Sequence, residues 1–292
     1  MPGRLRMSRN PWYRLATFKA ARGVAKTLPR GLCQVLAGAI GRCSHAVSRE
    51  ARQALRANLQ VVTGIDGKEI DRLCRRNFSN FLKMLADYFY TAGAGPEKIR
   101  ALLAEWRGYE NLVAARERGK GTIVITAHLG NWELGGLLLA ASGFPLTVIS
   151  LEEPAPQLTR WREEHRRRLG IKTITVGSDK FAFVEMINTL RRNEFLAMLI
   201  DRPYAQSGMP VRFFGHETLF SSAPALLWKH TGATVLPAFV LQSKRRRYLS
   251  FADAPVSMEG GDAASTQRIA TAFEGIIREH PEQWYNYVRI WK

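Results

Sequence analysis

A histidine and a glutamate five positions apart are the residues of this sequence best placed to do chemistry. His128 directly follows the apolar run TIVITA (122–127), and Glu133 lies beyond a glycine-containing turn in the segment AHLGNWELGG. A carboxylate bonded to one ring nitrogen of a histidine fixes the tautomer and leaves the other nitrogen free to take a proton. We therefore interpret His128 as a general base, oriented by Glu133 and acting on a hydroxyl group.

A strand, a turn and a helix are predicted around this pair. TIVITA is typical of a strand buried on both faces. Asn131 is the predicted N-cap of the helix that follows, which places Glu133 in the first helical turn. In open α/β sheets the active site lies at the carboxyl ends of the strands, which is where this strand delivers His128.

Strand-like and helix-like segments alternate along the rest of the chain. Further strands are predicted at 146–150, 172–176, 195–200 and 234–241, with YLSFAD (248–253) as an edge strand. Helices are predicted at 132–142, 158–169, 180–192, 222–231 and 263–280. This alternation predicts an α/β fold with a mostly parallel central sheet flanked by helices.

The N-terminal part of the chain is basic and helical. Residues 1–49 hold ten Lys and Arg and no Asp or Glu, and the cluster AGAGP at 92–96 closes the helical region. Apolar residues recur at helical spacing, which is typical of an amphipathic helix in a membrane interface; an ordinary packing helix with a solvated basic face is the alternative. The apolar residues at helical spacing are Trp12, Leu15, Phe18, Val24, Leu28, Leu32, Leu36 and Ile40. We predict a membrane-associating segment at 1–96 and an α/β core at 97–292, forming one integrated domain.

Charge and motif content narrow the class of partner. Forty-three Lys and Arg against 25 Asp and Glu give a formal net charge of +18, which favours nucleic acid, a phospholipid surface or an acidic carrier protein. No nucleic-acid-binding signature, phosphate loop or G-x-G-x-x-G fingerprint is present. A nucleic-acid-binding protein and a nucleotide-dependent membrane glycosyltransferase therefore remain only as alternatives.

Motifs that are absent from the sequence predict further features. The spacing of His and Cys predicts no metal site, and we expect no cofactor. Without a G-x-S-x-G elbow, direct transfer by general-base catalysis is simpler than a covalent enzyme intermediate. The longest apolar stretch, 31–41, is shorter than the roughly 20 residues that span a bilayer, so any membrane attachment is predicted to be peripheral or monotopic.

Several segments together resemble a known family. AHLGNWELGG resembles the H-x4-[DE] motif of the lipid A biosynthesis acyltransferases, which are lauroyl/myristoyl acyltransferase-like members of the lysophospholipid acyltransferase superfamily. WREEHRRRLGIKTI (161–174) resembles the family's arginine-bearing helix, with Arg166 at the matching position, and FLAMLIDRP (195–203) resembles its strand ending in Asp. Residues 209–239 and the closing PEQWYNYVRIWK are also similar. The resemblance begins near Pro29 and runs to the C-terminus.

The resemblance implies an enzyme, an O-acyltransferase (EC 2.3.1.-). Its donor would be an acyl carrier protein or coenzyme A thioester, and its acceptor a hydroxyl of a lipid or glycolipid at the cytoplasmic face of the bacterial inner membrane. A lipid A precursor, a phosphoinositide mannoside and a lysophospholipid stay open as acceptors. Asp201 is followed by Arg202, where some lipid A enzymes have Gln and the phosphoinositide mannoside branch has a similar pair.

The implied site extends beyond the catalytic pair of His128 and Glu133. The predicted substrate-binding residues are Asn131, Trp132, Arg166, Asp201 and Arg202. Arg166 is expected to bind donor phosphate or oppose the developing oxyanion. The two residues after the fourth strand, Asp201 and Arg202, are expected to shape the acceptor pocket, with a strand-terminal ion pair as the alternative.

Overall fold

A seven-stranded sheet forms the centre of the protein. A computed structural model describes residues 15–151, 156–177, 181–202, 208–243 and 245–291. The strands are β1 (Leu103–Arg107), β2 (Thr122–Thr126), β3 (Leu146–Leu151), β4 (Lys172–Val176), β5 (Phe195–Leu199), β8 (Thr234–Gln242) and β9 (Tyr248–Ala252), in the order β1-β9-β8-β2-β5-β3-β4. All neighbours pair in parallel except β8 and β9. The predicted mostly parallel α/β architecture is confirmed.

Helices connect the strands and cover the sheet. In the C-terminal two thirds they are α5 (Pro96–Arg100), α6 (Tyr109–Glu117), α7 (Trp132–Ala141), α8 (Pro156–Arg167), α9 (Ala182–Arg191), α10 (Ala223–Thr231) and α11 (Asp262–Glu279). A short 3-10 helix, Pro281–Gln283, precedes the C-terminal segment. A two-stranded antiparallel hairpin, β6 (Met209–Phe213) and β7 (His216–Phe220), packs beside the sheet against α11.

Both faces of the sheet are buried, as the continuous apolar character of β2 predicts. Ile123 and Ile125 belong to one hydrophobic cluster, whereas Val124 belongs to the cluster on the opposite face. This is the two-residue side-chain alternation of a strand. The face with Val124 packs against α7, which carries Glu133 in its first turn.

Four helices precede the sheet: α1 (Leu15–Thr27), α2 (Arg30–Val47), α3 (Arg49–Thr63) and α4 (Gly67–Thr91). Buried residues of α3 and α4, such as Leu59 and Phe78, belong to the same hydrophobic cluster as Ile123. Most of the contacts of α2 are with α4. None of the described helices is both long enough and apolar enough to cross a membrane.

The predicted N-terminal apolar stripe has two different environments. Phe18 of α1 is buried and packs edge-on against Phe89 and Trp161, as an ordinary packing helix would. Leu32 and Ile40 of α2 remain 45% exposed. Trp12 lies outside the described residues.

One sequence prediction needs correction, and three strands were missed. YLSFAD forms β9, but it is not an edge strand, since β1 pairs with its outer side. Neither β1 nor the β6–β7 hairpin was predicted. The sequence of β1, LAEWR, has an exposed and charged middle, so it lacks the apolar run that identified the buried strands.

Candidate active site

A tight turn after β2 holds His128 at the carboxyl end of the sheet. Gly130 has φ of +62°, and a Cβ there would lie 2.0 Å from the carbonyl oxygen of Val240. Only glycine fits such a turn without moving the neighbouring strand. The backbone N–H groups of Gly130 and Asn131 donate to the carbonyls of Gln283 and Val240 at 2.8 and 2.7 Å. The turn is thereby fixed to β8 and to the C-terminal segment.

The carboxylate that contacts the His128 ring is Asp201. Nδ1 of His128 lies 2.6 Å from Oδ1 of Asp201. Strands β2 and β5 pair in parallel, with Thr126 opposite Leu199. His128 and Asp201 each lie two residues beyond these partners, so the strand register brings them together.

Asp201 is completely buried, and its second oxygen is also bonded. Oδ2 accepts hydrogen bonds from the backbone N–H of His128 at 3.0 Å, Nε1 of Trp284 at 2.9 Å and Nδ2 of Asn286 at 2.9 Å. A buried carboxylate is stable as an anion only when donors satisfy it in this way. The C-terminal segment therefore completes the edge of the sheet that holds His128.

The electrostatics fix the tautomer of His128. Burial alone would raise the pKa of Asp201, but His128, Arg202 and the hydrogen bond from Trp284 hold that pKa far below its usual value. An ionised carboxylate can only accept, so Nδ1 of His128 carries the proton and donates it. Burial lowers the pKa of His128; Asp201 opposes that effect and Arg202 adds to it, so the net pKa is below the ordinary histidine value. The ring is neutral near pH 7, with Nε2 as a lone-pair acceptor.

Nε2 of His128 is available to a substrate. Among the described residues, the hydrogen bond of the His128 ring is the one at Nδ1. The side chain is 21% exposed, and the Trp132 ring packs edge-on at a centroid distance of 5.3 Å. The centroid of the Tyr285 ring lies 6.2 Å from that of Trp132. These two aromatic rings therefore form part of the surroundings of the His128 ring.

Glu133 is paired with Arg166. Nη2 and Nε of Arg166 donate to Oε1 and Oε2 of Glu133 at 2.7 and 3.3 Å, and the two side chains are only 10% and 12% exposed. Burial alone would raise the pKa of Glu133, but the charges of Arg166 and Arg162 and the hydrogen bonds from Arg166 outweigh it and hold that pKa below its usual value. Glu133 is therefore ionised near pH 7.

This arrangement corrects the expected geometry of the catalytic pair. Glu133 was predicted to bond the His128 ring, but Asp201 occupies that position and both Glu133 oxygens face Arg166. Two carboxylates thus serve the site, each with its own partner. Arg166 comes from α8, which lies over the same end of the sheet, and its Nη1 is buried without a hydrogen-bond partner among the described residues.

Asn131 caps α7 as predicted. Its side-chain oxygen accepts from the backbone N–H of Leu134 at 3.0 Å. Its Nδ2 donates to the hydroxyl of Tyr248 at 3.2 Å, and that hydroxyl donates to Oδ2 of Asp87 at 2.6 Å. Arg30 also bonds Asp87 through two nitrogens, at 2.8 and 2.7 Å. A buried polar chain therefore runs from the start of α2 to the helix that carries Glu133.

Arg202 contacts the C-terminal segment. Its guanidinium bonds the side chain of Asn286 and the carbonyl oxygen of Tyr285. It therefore supports the C-terminal segment that holds Asp201. The charge of Arg202 also helps to lower the pKa of Asp201, and its role in the acceptor pocket stays a prediction.

An apolar cavity of about 70 Å³ adjoins the site between the sheet and α7. Trp132, Glu133 and Arg166 line it together with apolar side chains from the sheet and α7. Gly135 and Gly136, in the first half of α7, present no side chain to it. The cavity can take a narrow apolar group whose polar end lies near the charged pair.

Three functional positions were not predicted: Trp284, Asn286 and Tyr248. The first two belong to PEQWYNYVRIWK, whose similarity to the family was noted without a role for single residues. The closeness of aromatic and amide side chains in that segment was the available signal. No signal in the sequence indicated Tyr248, because its partners Asp87 and Asn131 are distant in sequence.

Comparison with known proteins shows the family of this chain. A family model described as bacterial lipid A biosynthesis acyltransferase matches residues 4–292. The chain is 24% identical over 279 residues to the phosphatidylinositol mannoside acyltransferase of Mycolicibacterium smegmatis, covering 94% of this chain and 90% of that protein. It is 26% identical to the protein of the same description from Mycobacterium tuberculosis, over 82% of this chain and 77% of the relative. The match over nearly the whole length shows that this chain is an acyltransferase belonging to the bacterial lipid A biosynthesis acyltransferase family.

Proposed function

We propose that this protein transfers a fatty acyl group from an acyl thioester to a hydroxyl of a glycolipid. The observation that carries the proposal is the His128–Asp201 pair, which holds a neutral imidazole with its outer nitrogen directed away from the buried carboxylate. Such a ring is a general base suited to a hydroxyl nucleophile. The apolar cavity beside it suits an acyl chain.

The reaction follows from these positions. Nε2 of His128 accepts the proton of the acceptor hydroxyl as its oxygen attacks the thioester carbonyl. The C–S bond breaks, the thiolate leaves, and the imidazolium returns the proton to sulfur. Asp201 stabilises the imidazolium between these steps. The ester and the free thiol are the products, and the enzyme is unchanged.

Glu133 and Arg166 serve the donor side of this scheme. Both line the cavity, and Nη1 of Arg166, which has no hydrogen-bond partner among the described residues, is the available donor for the thioester oxygen as negative charge develops there. Glu133 holds the guanidinium in place by its two hydrogen bonds. Both catalytic assignments, His128 and Glu133, are thus retained, with Glu133 acting through Arg166 and not through the ring.

The acyl chain is proposed to lie between α7 and the sheet. The cavity is smaller than the roughly 300–1,000 Å³ of typical ligand sites. A long chain must therefore separate α7 from the strands below it. The donor is proposed to be acyl carrier protein or coenzyme A, either of which supplies the same thioester.

The proposed acceptor is a glycolipid, and the site is at the cytoplasmic face of the inner membrane. The mycobacterial relatives named above are described as acting on phosphatidylinositol mannoside, and a related sugar hydroxyl fits a base of this type. Lys19 and Lys26 of α1 are exposed and face no carboxylate among the described residues. Each basic residue near an anionic surface contributes about 1 kcal/mol of attraction. Peripheral attachment through α1 and α2 follows.

A transfer assay tests the proposal. Purified protein is incubated with radiolabelled palmitoyl-coenzyme A or palmitoyl acyl carrier protein and with lipids from a deletion strain, and the products are identified by mass spectrometry. We expect one lipid to gain one acyl chain, and His128→Ala to abolish the gain while remaining folded. Wild-type turnover by folded His128→Ala would refute the mechanism, and no acylated lipid with either donor would refute the reaction.

Attachment is tested separately by sedimentation with anionic vesicles. Charge reversal at Lys19 and Lys26 together should weaken binding, and added salt should weaken it further. Matched reversal of Arg191 and Arg192, which lie at the C-terminal end of α9, is the control. Equal binding by the two double variants would contradict attachment through α1.

A further inference from the structure

A second concave site has a lining of its own. It is a cavity of about 430 Å³ between α2, α4, the β8–β9 loop and the C-terminal segment. None of its lining residues lines the apolar cavity beside Glu133. Its volume falls within the range of small-molecule sites.

Cations dominate the lining of this cavity. Arg42 comes from α2, Arg76 and Lys83 from α4, and Arg246 from the β8–β9 loop. Glu282 is the carboxylate among the described lining residues, and it pairs with Arg76 at 3.2 Å. Three cations from three elements are left facing one space without a counter-charge among the described residues.

The effect of this uncompensated positive charge is clearest at Lys83. Burial lowers its pKa, the charges of Arg42 and Arg246 lower it further, and no carboxylate among the described residues opposes them. The close packing of α2 on α4 holds the side chain in place, since a Cβ at Gly38 would lie 2.9 Å from its Cε. Arg246 is held from its other side, where Nη1 donates to the carbonyl of Gly31 at 3.3 Å. A bound anion would remove this repulsion.

An exposed apolar strip borders the cavity. Leu32, Val35, Leu36 and Ile40 of α2 are each between 44% and 50% exposed and share one helical face by their spacing. Val35 also lines the cavity. Charge and apolar surface are thus continuous, which matches a molecule with an anionic head and an apolar tail. A free phosphate ion has no apolar part that could contact the strip. The convex surface of an acidic protein does not enter a cavity.

We propose that this cavity binds the phosphate headgroup of an anionic phospholipid, with Arg42, Lys83 and Arg246 on the phosphate and the lipid tails along the exposed strip of α2. The lipid is not the reacting substrate. It anchors and orients the enzyme on the membrane, so the proposal is tested by binding and does not depend on acyl transfer.

The test uses dihexanoyl phosphatidylglycerol, below the concentration at which it forms micelles, in isothermal titration calorimetry with the full-length protein. Lys83→Gln is compared with Lys68→Gln, an exposed lysine on the same helix, and Arg246→Gln with Arg245→Gln in the same loop. We expect each cavity variant to bind about tenfold or more weakly, because a hydrogen bond to a charged group is lost. The control variants should bind as the wild type does.

Three further measurements make the result decisive. Lys83→Gln should unfold at the same temperature as the wild type or higher without lipid, since it removes a cation that faces two others. Dihexanoyl phosphatidylcholine, with the same tails and no net charge, should bind much more weakly. The proposal is overturned if the cavity and control variants bind alike, or if coenzyme A, inorganic phosphate or acyl carrier protein occupies the cavity more tightly than the anionic lipid.

Discussion

Replacing Asp201 with Asn should strongly lower turnover by reversing the tautomer of His128. In the wild type Oδ2 of Asp201 accepts three hydrogen bonds and Oδ1 accepts one. An Asn side chain has one oxygen and one NH₂ group. If its oxygen keeps the three donors, its NH₂ group faces Nδ1 of His128, which must then accept and leave the proton on Nε2.

The opposite orientation of the Asn is disfavoured. It would direct the NH₂ group at three donors, and each unsatisfied buried group costs about 1–3 kcal/mol. The reversed tautomer is therefore the lower in free energy, and it has no lone pair for the hydroxyl proton. The same substitution in a serine protease triad lowers kcat about 10⁴-fold, equivalent to about 5 kcal/mol of activation free energy. We expect a loss of that order, with a stability loss of about 2 kcal/mol from weaker hydrogen bonds.

The assay is steady-state transfer at saturating donor and acceptor, together with nitrogen-15 NMR of the histidine ring. Asp71→Asn, at an exposed carboxylate that pairs with Arg56 on the surface, is the matched control and should keep full activity. Folded Asp201→Asn that retains kcat near the wild-type value, or whose His128 still carries its proton on Nδ1, would refute the reasoning.

Protonation, charge pairing and the buried polar chain give further expected outcomes. The value of kcat/KM should fall as pH decreases through the lowered pKa of His128, since only the neutral ring accepts a proton; a pH–rate profile with this limb above about 6.5 would contradict the role of burial. Glu133→Gln or Arg166→Gln leaves one buried charge unpaired and should lower the free energy of unfolding by about 3–5 kcal/mol. The double variant should lose less than the two single variants together, because it leaves no unpaired charge. Urea titrations measure these losses, and strictly additive values would show that the pair does not interact. Glu133→Gln should also lower kcat more than it raises KM, whereas a change in KM alone would remove Glu133 from the transition state. Tyr248→Phe deprives Asp87 of a donor and should lower the free energy of unfolding by about 1–3 kcal/mol, and an unchanged thermal transition would show that the chain contributes nothing.

The catalytic edge depends on segments far apart in the chain. The Nδ1 partner of His128 follows β5, and the groups that stabilise this partner, Trp284 and Asn286, come from the chain end. Loss of the C-terminal segment would therefore leave the Asp201 carboxylate buried with two fewer donors. The C-terminal segment therefore supports the site, although it is far from His128 in the sequence.

The sequence alone determined what local periodicity encodes. Apolar runs of strand length and helical spacing predicted the α/β alternation, and the strand–turn–helix around His128 was predicted because one stretch of chain forms it. Asn131 was identified as the cap of α7 for the same reason, since its partner Leu134 is three residues away. The resemblance to the acyltransferase family added the chemistry.

Only the tertiary structure decided which carboxylate meets the ring. Glu133 is close to His128 in sequence, but Asp201, 73 residues away, takes Nδ1, because β2 and β5 are neighbours and share a register. Arg166 reaches Glu133 because α8 packs over the same end of the sheet. Strand order and helix placement depend on burial summed over the whole core, and no local window of sequence contains that sum.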